Sequence, residues 1–301
     1  MRRRELLAAL GALPGMASAF PLRASETASS RVTVLHTNDT HSRIEPFPEG
    51  GGAYGGLGGL ARRATLVKRL RKELGGALLV DAGDAFQGTP WFNLYKGRVE
   101  FKLMDLVGYD AVTLGNHDFD GGVRGLVDAM GDASFPFVNC NFDCAGAPEL
   151  ARRIRPFVVK ELHGRRIGIT GVGIGFKGLV PKDLHAGVEW IHPYEALPPV
   201  VERLRTQERC DLVLLCSHLG LDEPDLDVDD RRLASKVPGI HAILSGHLHT
   251  LMEQPARVKN DLGETVIFRV GMGGAYLGRL EFSFAPDGRV AAASASRQEV
   301  G

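Results

Sequence analysis

The sequence predicts an α/β fold built of stacked layers, and three observations lead to this class. Apolar runs typical of strands alternate along the chain with amphipathic patterns typical of helices. Most of the strand-type runs are continuously apolar, as expected for strands that are buried on both faces. The chain has 301 residues, of which 44% are hydrophobic, and this is enough for a large core.

The elements can be assigned in order along the chain. Strands are predicted at 32–36, 77–81, 110–114, 135–139, 166–172, 211–216, 240–245, 265–270 and 277–284. Helical patterns lie between them, at about 57–74, 98–107, 122–131, 194–207 and 230–236. The glycine-rich stretch 50–59 lacks the G-K-[ST] ending of a phosphate-binding loop, so it is predicted to be a mobile loop that leads into the first helix.

The N-terminal residues have the pattern of a secretory signal. Arg2, Arg3 and Arg4 precede a short apolar run over 6–17, and a small-x-small cleavage site follows. The arginines before the run are also similar to a bacterial twin-arginine signal. We therefore expect residues 1–28 to be a signal peptide with a short leader, residues 29–301 to form one domain, and the protein to be exported or periplasmic.

Charge and cysteine content exclude several other classes. The formal net charge is zero, so the composition does not favour a nucleic-acid polymer as a partner, and no further stretch is apolar enough to be a transmembrane segment. No C-x-x-C motif is present, which argues against a zinc ribbon or a thioredoxin-like site. The spacing of Cys140 and Cys144 leaves a disulfide between them open.

Five short segments place Asp, Asn or His directly after an apolar run. The carboxyl ends of parallel strands meet at one edge of a sheet, so these side chains are expected to converge. Carboxylate, imidazole and amide oxygen are ligands for divalent metals, and the segments contain no thiolate. The segments are Asn38-Asp39-Thr40-His41, Gly83-Asp84, Gly115-Asn116-His117-Asp118, Ser217-His218 and Gly246-His247-Leu248-His249.

The ordered set D-x-H, G-D, G-N-H-[DE], H and G-H-x-H resembles the calcineurin-like metallophosphoesterase superfamily. The longer strings HTNDTHSRIEPFP, DAGDAFQGTP, LGNHDFD, SHLG and GHLHT are similar to its 5′-nucleotidase branch. The resemblance extends from about Arg31 to Phe284. It implies a four-layer α/β/β/α sandwich of two packed β-sheets, with all five segments at one edge of the sandwich.

The resemblance also implies roles for these side chains around two divalent metal ions, which Mn, Zn, Fe or Co would fit. The ligands of the first ion would be Asp39, His41, Asp84 and His249. Those of the second would be Asp84, Asn116, His218 and His247. A hydroxide bridging the two ions would attack phosphorus.

The segment around His117 carries the implied acid. His117 would act as the general acid, oriented by Asp120. For Asp120 a second role stays open, because it also precedes a predicted helix and could cap it. Asp118 is expected to be structural, since its neighbours already supply the ligand and the acid.

The implied function is hydrolysis of phosphate monoesters, with a small phosphorylated substrate such as a nucleotide. Two alternatives are a thiosulfohydrolase of the same superfamily branch and a non-catalytic binding subunit that retains the fold. Members of the branch carry a C-terminal nucleoside-binding domain, whereas this chain ends at Gly301. We therefore expect either a separate chain that supplies such a domain or a phosphatase with weak nucleotide discrimination. The aromatic residues expected near the site, in loops, are Tyr54, Phe86, Trp91 and Phe92.

Overall fold

A computed structural model describes residues 31–223 and 227–301, so the signal segment predicted at 1–28 lies outside the described residues. The helices are α1 (Leu60–Leu74), α2 (Pro90–Tyr95), α3 (Arg98–Val107), α4 (Gly122–Met130), α5 (Pro148–Ala151), α6 (Pro193–Thr206) and α7 (Asp230–Lys236). The strands are β1 (Val32–Thr37), β2 (Leu78–Asp81), β3 (Ala111–Val112), β4 (Phe137–Val138), β5 (Phe142–Asp143), β6 (Ile154–Arg155), β7 (Phe157–Leu162), β8 (Arg165–Gly173), β9 (Glu189–Trp190), β10 (Leu212–His218), β11 (Ala242–Ser245), β12 (Ala256–Asn260), β13 (Gly263–Phe268), β14 (Tyr276–Phe284) and β15 (Val290–Glu299).

Two large sheets form the centre of the fold. The first has seven strands in the order β15-β14-β1-β2-β3-β4-β6, and the second has six in the order β12-β13-β11-β10-β8-β7. The strands from β1 to β6 in the first sheet are parallel, as are β8, β10, β11 and β13 in the second. Antiparallel strands are added at the sides of these parallel centres. A short ribbon pairs β5 with β9.

The sheets pack face to face and the helices cover their outer faces. Val34, Val80, Ile169 and Leu214 come from both sheets and belong to one buried cluster between them. Helices α1, α3 and α4 pack over the first sheet, and α6 and α7 pack over the second. The predicted sandwich of two packed sheets flanked by helices is therefore confirmed.

Two other expectations can be compared with the structure. All four cysteines are free thiols, so the disulfide left open between Cys140 and Cys144 is not formed. Among the described ranges, no helix has both the length and the apolar character needed to cross a bilayer.

His36 lies in the contact between the two sheets and is fully buried. Neither ring nitrogen has a hydrogen-bond partner within the described part of the chain. Burial lowers the pKa of His36 to about 3, so the ring is neutral at physiological pH. Gly278 is its register partner on β14, and a Cβ atom added there would overlap the His36 ring. The glycine is therefore required to make room for this ring.

We expect Gly278→Ala to lower the free energy of unfolding by about 1–3 kcal/mol, the usual cost of overpacking a core. Urea unfolding followed by circular dichroism measures the change. Gly125→Ala is the matched control, because a Cβ at this position in α4 would meet nothing within 4 Å. That control should stabilise the protein by up to about 1 kcal/mol through helix propensity. Equal stability of Gly278→Ala and wild type would contradict this account of the packing.

Candidate metal centre

The five polar segments meet at one rim of the sandwich, where strands of both sheets end. The first sheet supplies the segments that follow β1, β2 and β3, and the second supplies the last residues of β10 and the segment that follows β11. All seven predicted ligand residues lie at this rim: Asp39, His41, Asp84, Asn116, His218, His247 and His249. Convergence from two sheets is possible because the parallel centres place their carboxyl ends on the same side.

The first group of side chains consists of Asp39, His41, Asp84 and His249. Each offers one ligand atom, and these atoms all lie within 4.8 Å of one another. His249 Nε2 is 3.3 Å from Asp39 Oδ1 and 2.8 Å from His41 Nε2. His41 Nδ1 can donate to the carbonyl of Phe86 at 3.0 Å, which leaves the lone pair on Nε2. Two imidazoles that face one carboxylate at these distances are suited to bind a single cation together.

The second group contains Asp84, His218 and His247, whose ligand atoms also lie within 4.8 Å of one another. His218 Nδ1 lies 2.7 Å from the carbonyl of Ala82, so Nε2 faces the site. That Nε2 is 3.0 Å from Asp84 Oδ2 but makes no well-directed hydrogen bond. Asn116 Oδ1 lies 3.1 Å from His247 Nδ1, which adds the amide oxygen to this group. Asp84 is common to both groups.

The electrostatics of the rim favour a bound cation. Burial opposes charge on His218, yet the carboxylates of Asp84 and Asp39 raise its pKa to about 10. Burial lowers the pKa of His41, and it lowers that of His247 to about 4, so both rings are neutral. A proton on His218 would thus balance the buried carboxylates in the metal-free protein. Divalent cations would replace that proton and use the neutral imidazoles as ligands.

The backbone at the rim is unusual. Positive φ angles occur at five of the seven candidate ligand residues, and such angles in residues other than glycine are uncommon and cluster at functional sites. The angles are 48° at Asp39, 46° at His41, 56° at Asp84, 75° at His247 and 57° at His249. Hydrogen bonds hold these turns, including the one from the Asp39 amide to the Gly83 carbonyl at 2.9 Å.

His117 and Asp120 form a pair beside the first group, with 5.4 Å between the centres of the His117 and His41 rings. His117 Nδ1 is 2.8 Å from Asp120 Oδ2, and this hydrogen bond is the main cause that raises the pKa of His117. The backbone amide of His117 donates to Asp84 Oδ1 at 2.8 Å. Helix α4 begins after Gly121 without a side-chain cap, so the geometry favours orientation of His117 over helix capping as the role of Asp120.

Asp118 is buried and ties the neighbouring loops together. Its carboxylate accepts hydrogen bonds from the amides of Asp84, Ala85 and Gly115 at 2.8–3.0 Å. It reaches no ligand group itself, in line with the structural role expected from the sequence. A substitution at Asp118 would therefore displace Asp84.

Two buried residues support the site although the sequence assigned no role to either of them. Asn38 donates from Nδ2 to Asp39 Oδ2 at 2.7 Å and accepts at Oδ1 from the Val270 amide at 3.1 Å. Asp81 accepts a 2.5 Å hydrogen bond from Thr37 Oγ1, and burial raises its pKa to about 7. Both lie inside the quoted motif strings, at the first Asn of N-D-x-H and the first Asp of D-A-G-D. Their positions within these motif strings were the sequence signal that could have identified both residues.

A cavity of about 150 Å³ forms the mouth of the site. His41, His117 and His249 line it together with Arg43, which sequence reasoning did not single out. The guanidinium of Arg43 lies over the Phe47 ring, 4.3 Å from its centre. The mouth therefore combines imidazoles with one positive charge.

The expected aromatic rim needs correction. Phe86 and Phe92 are buried in the core, so they offer no exposed platform. Trp91 and Phe92 belong to helix α2 and not to a loop. Trp190, which is partly exposed, and Phe176, which is itself buried, line a larger cavity that reaches His247.

Fold and site together define an α/β sandwich protein with a candidate metal centre at the strand ends. The family model for calcineurin-like phosphoesterase matches residues 32–251. The chain belongs to this calcineurin-like phosphoesterase family, which confirms the resemblance seen in the sequence.

Relatives of the chain include 5′-nucleotidases. The chain is 34% identical to the 5′-nucleotidase of Rattus norvegicus over 285 residues, covering 87% of this chain and 48% of that protein. The structure of a 5′-nucleotidase precursor from Thermus thermophilus matches with a TM-score of 0.80 at 31% identity, over 89% of this chain and 54% of that one. The chain thus spans about half the length of the curated relatives it matches.

A sulfate thiohydrolase from Thermus thermophilus has the same fold. Its structure matches with a TM-score of 0.74 at 20% identity, over 89% of this chain and 56% of that one. At this identity the likeness shows the fold alone.

Proposed function

We propose that this protein hydrolyses phosphate monoesters in the manner of a 5′-nucleotidase, with nucleotides or related small phosphates as substrates. One observation carries the proposal: two groups of ligand atoms share Asp84 and lie beside a histidine held by a carboxylate. The family and the 5′-nucleotidase relatives support the same reaction class.

The donor sets fit two divalent ions such as Mn, Zn, Fe or Co. One ion would be held by Asp39, His41, Asp84 and His249, and the other by Asp84, Asn116, His218 and His247. When bound, such a pair polarises phosphoryl oxygens and supplies a hydroxide nucleophile at neutral pH.

The chain's own residues contribute the remaining chemistry. His117 holds its Nδ1 proton against Asp120, so a proton on Nε2 is available for the leaving oxygen of the ester. Asp120 fixes the ring orientation and favours the charged form of His117. Arg43 places a positive charge at the mouth, where it would attract the phosphoryl group.

A phosphate-release screen of the metal-loaded mature protein tests the proposal. The panel contains nucleotides, sugar phosphates, cyclic nucleotides and a generic chromogenic phosphate ester. We expect release from nucleoside monophosphates and from the chromogenic ester. A thiosulfonate substrate forms a separate arm for the thiosulfohydrolase alternative, and inactivity toward every substrate would favour a non-catalytic subunit. No comparison supports a separate chain that completes the site.

Export is part of the proposal, with residues 1–28 as a signal and residues 29–301 as the metallophosphoesterase domain. The observation behind it is the order of arginines, apolar run and small residues at the start of the chain. We expect the processed protein to lie outside the cytoplasm and to begin near Phe20 or Pro21. N-terminal sequencing checks this, and recovery of intact Met1 from cytosolic protein would overturn it.

A further inference from the structure

Four buried polar side chains adjoin the candidate metal centre without belonging to either ligand group. Arg63 comes from α1, Tyr109 lies just before β3, Thr37 ends β1 and Asp81 ends β2. Burial of polar groups is costly unless they are paired, so a cluster of four such groups requires an explanation. We call these four side chains the Arg63 network.

The Arg63 network is a series of hydrogen bonds with a fixed direction. Arg63 Nη1 donates to the Tyr109 hydroxyl at 3.3 Å, since a guanidinium can only donate. The Tyr109 hydroxyl lies 2.7 Å from Thr37 Oγ1, and Thr37 Oγ1 donates to Asp81 Oδ2 at 2.5 Å. Because Thr37 gives its proton to Asp81, Tyr109 is the donor between the two hydroxyls. The other oxygen, Asp81 Oδ1, accepts the backbone amide of Gly83 at 2.9 Å.

The network connects a buried cation with a buried anion. Both oxygens of Asp81 accept hydrogen bonds, and this arrangement favours the charged carboxylate. The positive charge at Arg63 polarises the two hydroxyls that lie between it and Asp81. A charged carboxylate is a stronger acceptor than a neutral acid, so the network strengthens the hydrogen bond from Gly83 to Asp81.

That hydrogen bond stabilises a turn with an unfavourable backbone conformation. The φ angle is 93° at Gly83 and 56° at Asp84, and the second value is uncommon for a residue with a side chain. Such a conformation persists only where the surroundings hold it. The Gly83 carbonyl also accepts the backbone amide of Asp39 at 2.9 Å. The turn therefore sets the positions of two carboxylates of the first ligand group, Asp39 and Asp84.

Arg63 also packs against the loop that contacts the carbonyl of Asp39. A Cβ atom added to Gly274 would overlap the Arg63 guanidinium. The preceding residue, Gly273, donates its amide to the Asp39 carbonyl at 2.7 Å. The hydrogen bonds at the amide and at the carbonyl of Asp39 are thus both linked to Arg63.

We propose that the members of the Arg63 network are positioning residues, which hold the turn at Asp84 and thereby set the affinity of the centre for divalent metal. The inference rests on the proposed function, because it concerns the same metal centre. Residues that hold metal ligands in place typically contribute about 10- to 100-fold to metal affinity.

Calorimetric titration of Mn²⁺ into the metal-free protein tests the proposal. Thr37→Val keeps the shape of the side chain but removes the hydroxyl, so it should raise the Kd for Mn²⁺ about 10-fold or more. Tyr109→Phe interrupts the network one step further from Asp81, and the increase should be smaller. Thr37→Ser returns the hydroxyl and should restore a Kd close to that of wild type.

Thr113→Val and Tyr194→Phe are the matched controls. Each removes a buried hydroxyl that has no hydrogen-bond partner in the described part of the chain, one after β3 and the other on α6. Both should leave the Kd for Mn²⁺ unchanged. A role in stability alone would lower the thermal unfolding temperature of Thr37→Val but leave the Kd of the folded variant at the wild-type value, and that result would contradict the proposal.

Hydrogen exchange in the metal-free protein separates this inference from the proposed function. Thr37→Val should speed exchange at the amides of Gly83 and Asp39, whereas Thr113→Val should not. Unchanged exchange at both amides in Thr37→Val overturns the inference. If wild type binds Mn²⁺ but hydrolyses no ester, the proposed function fails and the Kd comparison still tests the network. If wild type binds no Mn²⁺, the metal centre itself fails, and the exchange rates decide whether the network holds the turn.

Discussion

Asp84→Asn is expected to remove most of the bound metal and nearly all activity. Asp84 is the one side chain common to both groups of ligand atoms. Its Oδ2 lies 3.0 Å from His218 Nε2, and its Oδ1 accepts the amide of His117. An amide keeps the shape of the side chain but removes its negative charge and one acceptor oxygen. Bridging two cations requires both the negative charge and the second oxygen. Asp84→Asn should therefore lower metal content and activity more than substitution of any residue assigned to one ion.

Plasma emission spectroscopy on dialysed protein measures this loss as metal per chain, which should fall well below the value of about two expected for a dinuclear site. Asp128→Asn is the matched control, since Asp128 is an exposed carboxylate on α4. Thermal unfolding of both variants shows whether the fold is retained. A variant that keeps two ions per chain with full turnover would show that Asp84 does not bridge.

The fold was predictable for segments in which the hydrophobic pattern agrees with the residues that mark the two ends of the element. Helices α3 and α7 have the predicted bounds of 98–107 and 230–236, and strands β1, β8 and β14 differ from prediction by a residue or two. These elements bury continuous apolar runs or a clear stripe, so local sequence and tertiary packing favour the same structure.

Strands that form because they pair with an adjacent strand were not predicted from the sequence. Strand β15 has the sequence VAAASASRQE, which is poor in strand-forming residues, and it forms because it pairs with β14 over its length. The antiparallel strands β7 and β12 were missed as well, and they lie at the edges of the second sheet. Helix α2 is different, since Pro90 at its first position and Thr89 before it were readable signals.

The convergence of the candidate ligand residues was predictable because each lies at or after the end of an apolar run, whereas the surroundings of the site were not. The left-handed backbone at Asp39 and His247 depends on contacts between distant loops, such as the hydrogen bond from the His247 amide to Asp39. The cavity wall also combines distant segments, because Phe176 is held in place by Phe119. A linear pattern carries no information on such contacts.

His117→Ala is the second substitution with a large expected effect. We expect turnover to fall by about 10²–10⁴-fold, the usual contribution of a positioned general acid. The ligand atoms do not include those of His117, so metal content should remain that of wild type. His163→Ala is the control, because this histidine is exposed and its Nδ1 contacts the backbone of Arg31.

The dependence on the leaving group shows whether His117 acts as an acid. An alkyl phosphate expels a strongly basic alkoxide and needs a proton in the transition state, whereas a nitrophenyl phosphate expels a stable phenolate. Loss of His117 should therefore slow the alkyl ester far more than the nitrophenyl ester. Asp120→Asn leaves the ring present but weakens the 2.8 Å contact that orients and charges it, so its effect should have the same leaving-group pattern with a smaller size. Equal losses for both esters would instead indicate that His117 stabilises charge on the phosphoryl group, because that contribution is made whichever alcohol departs.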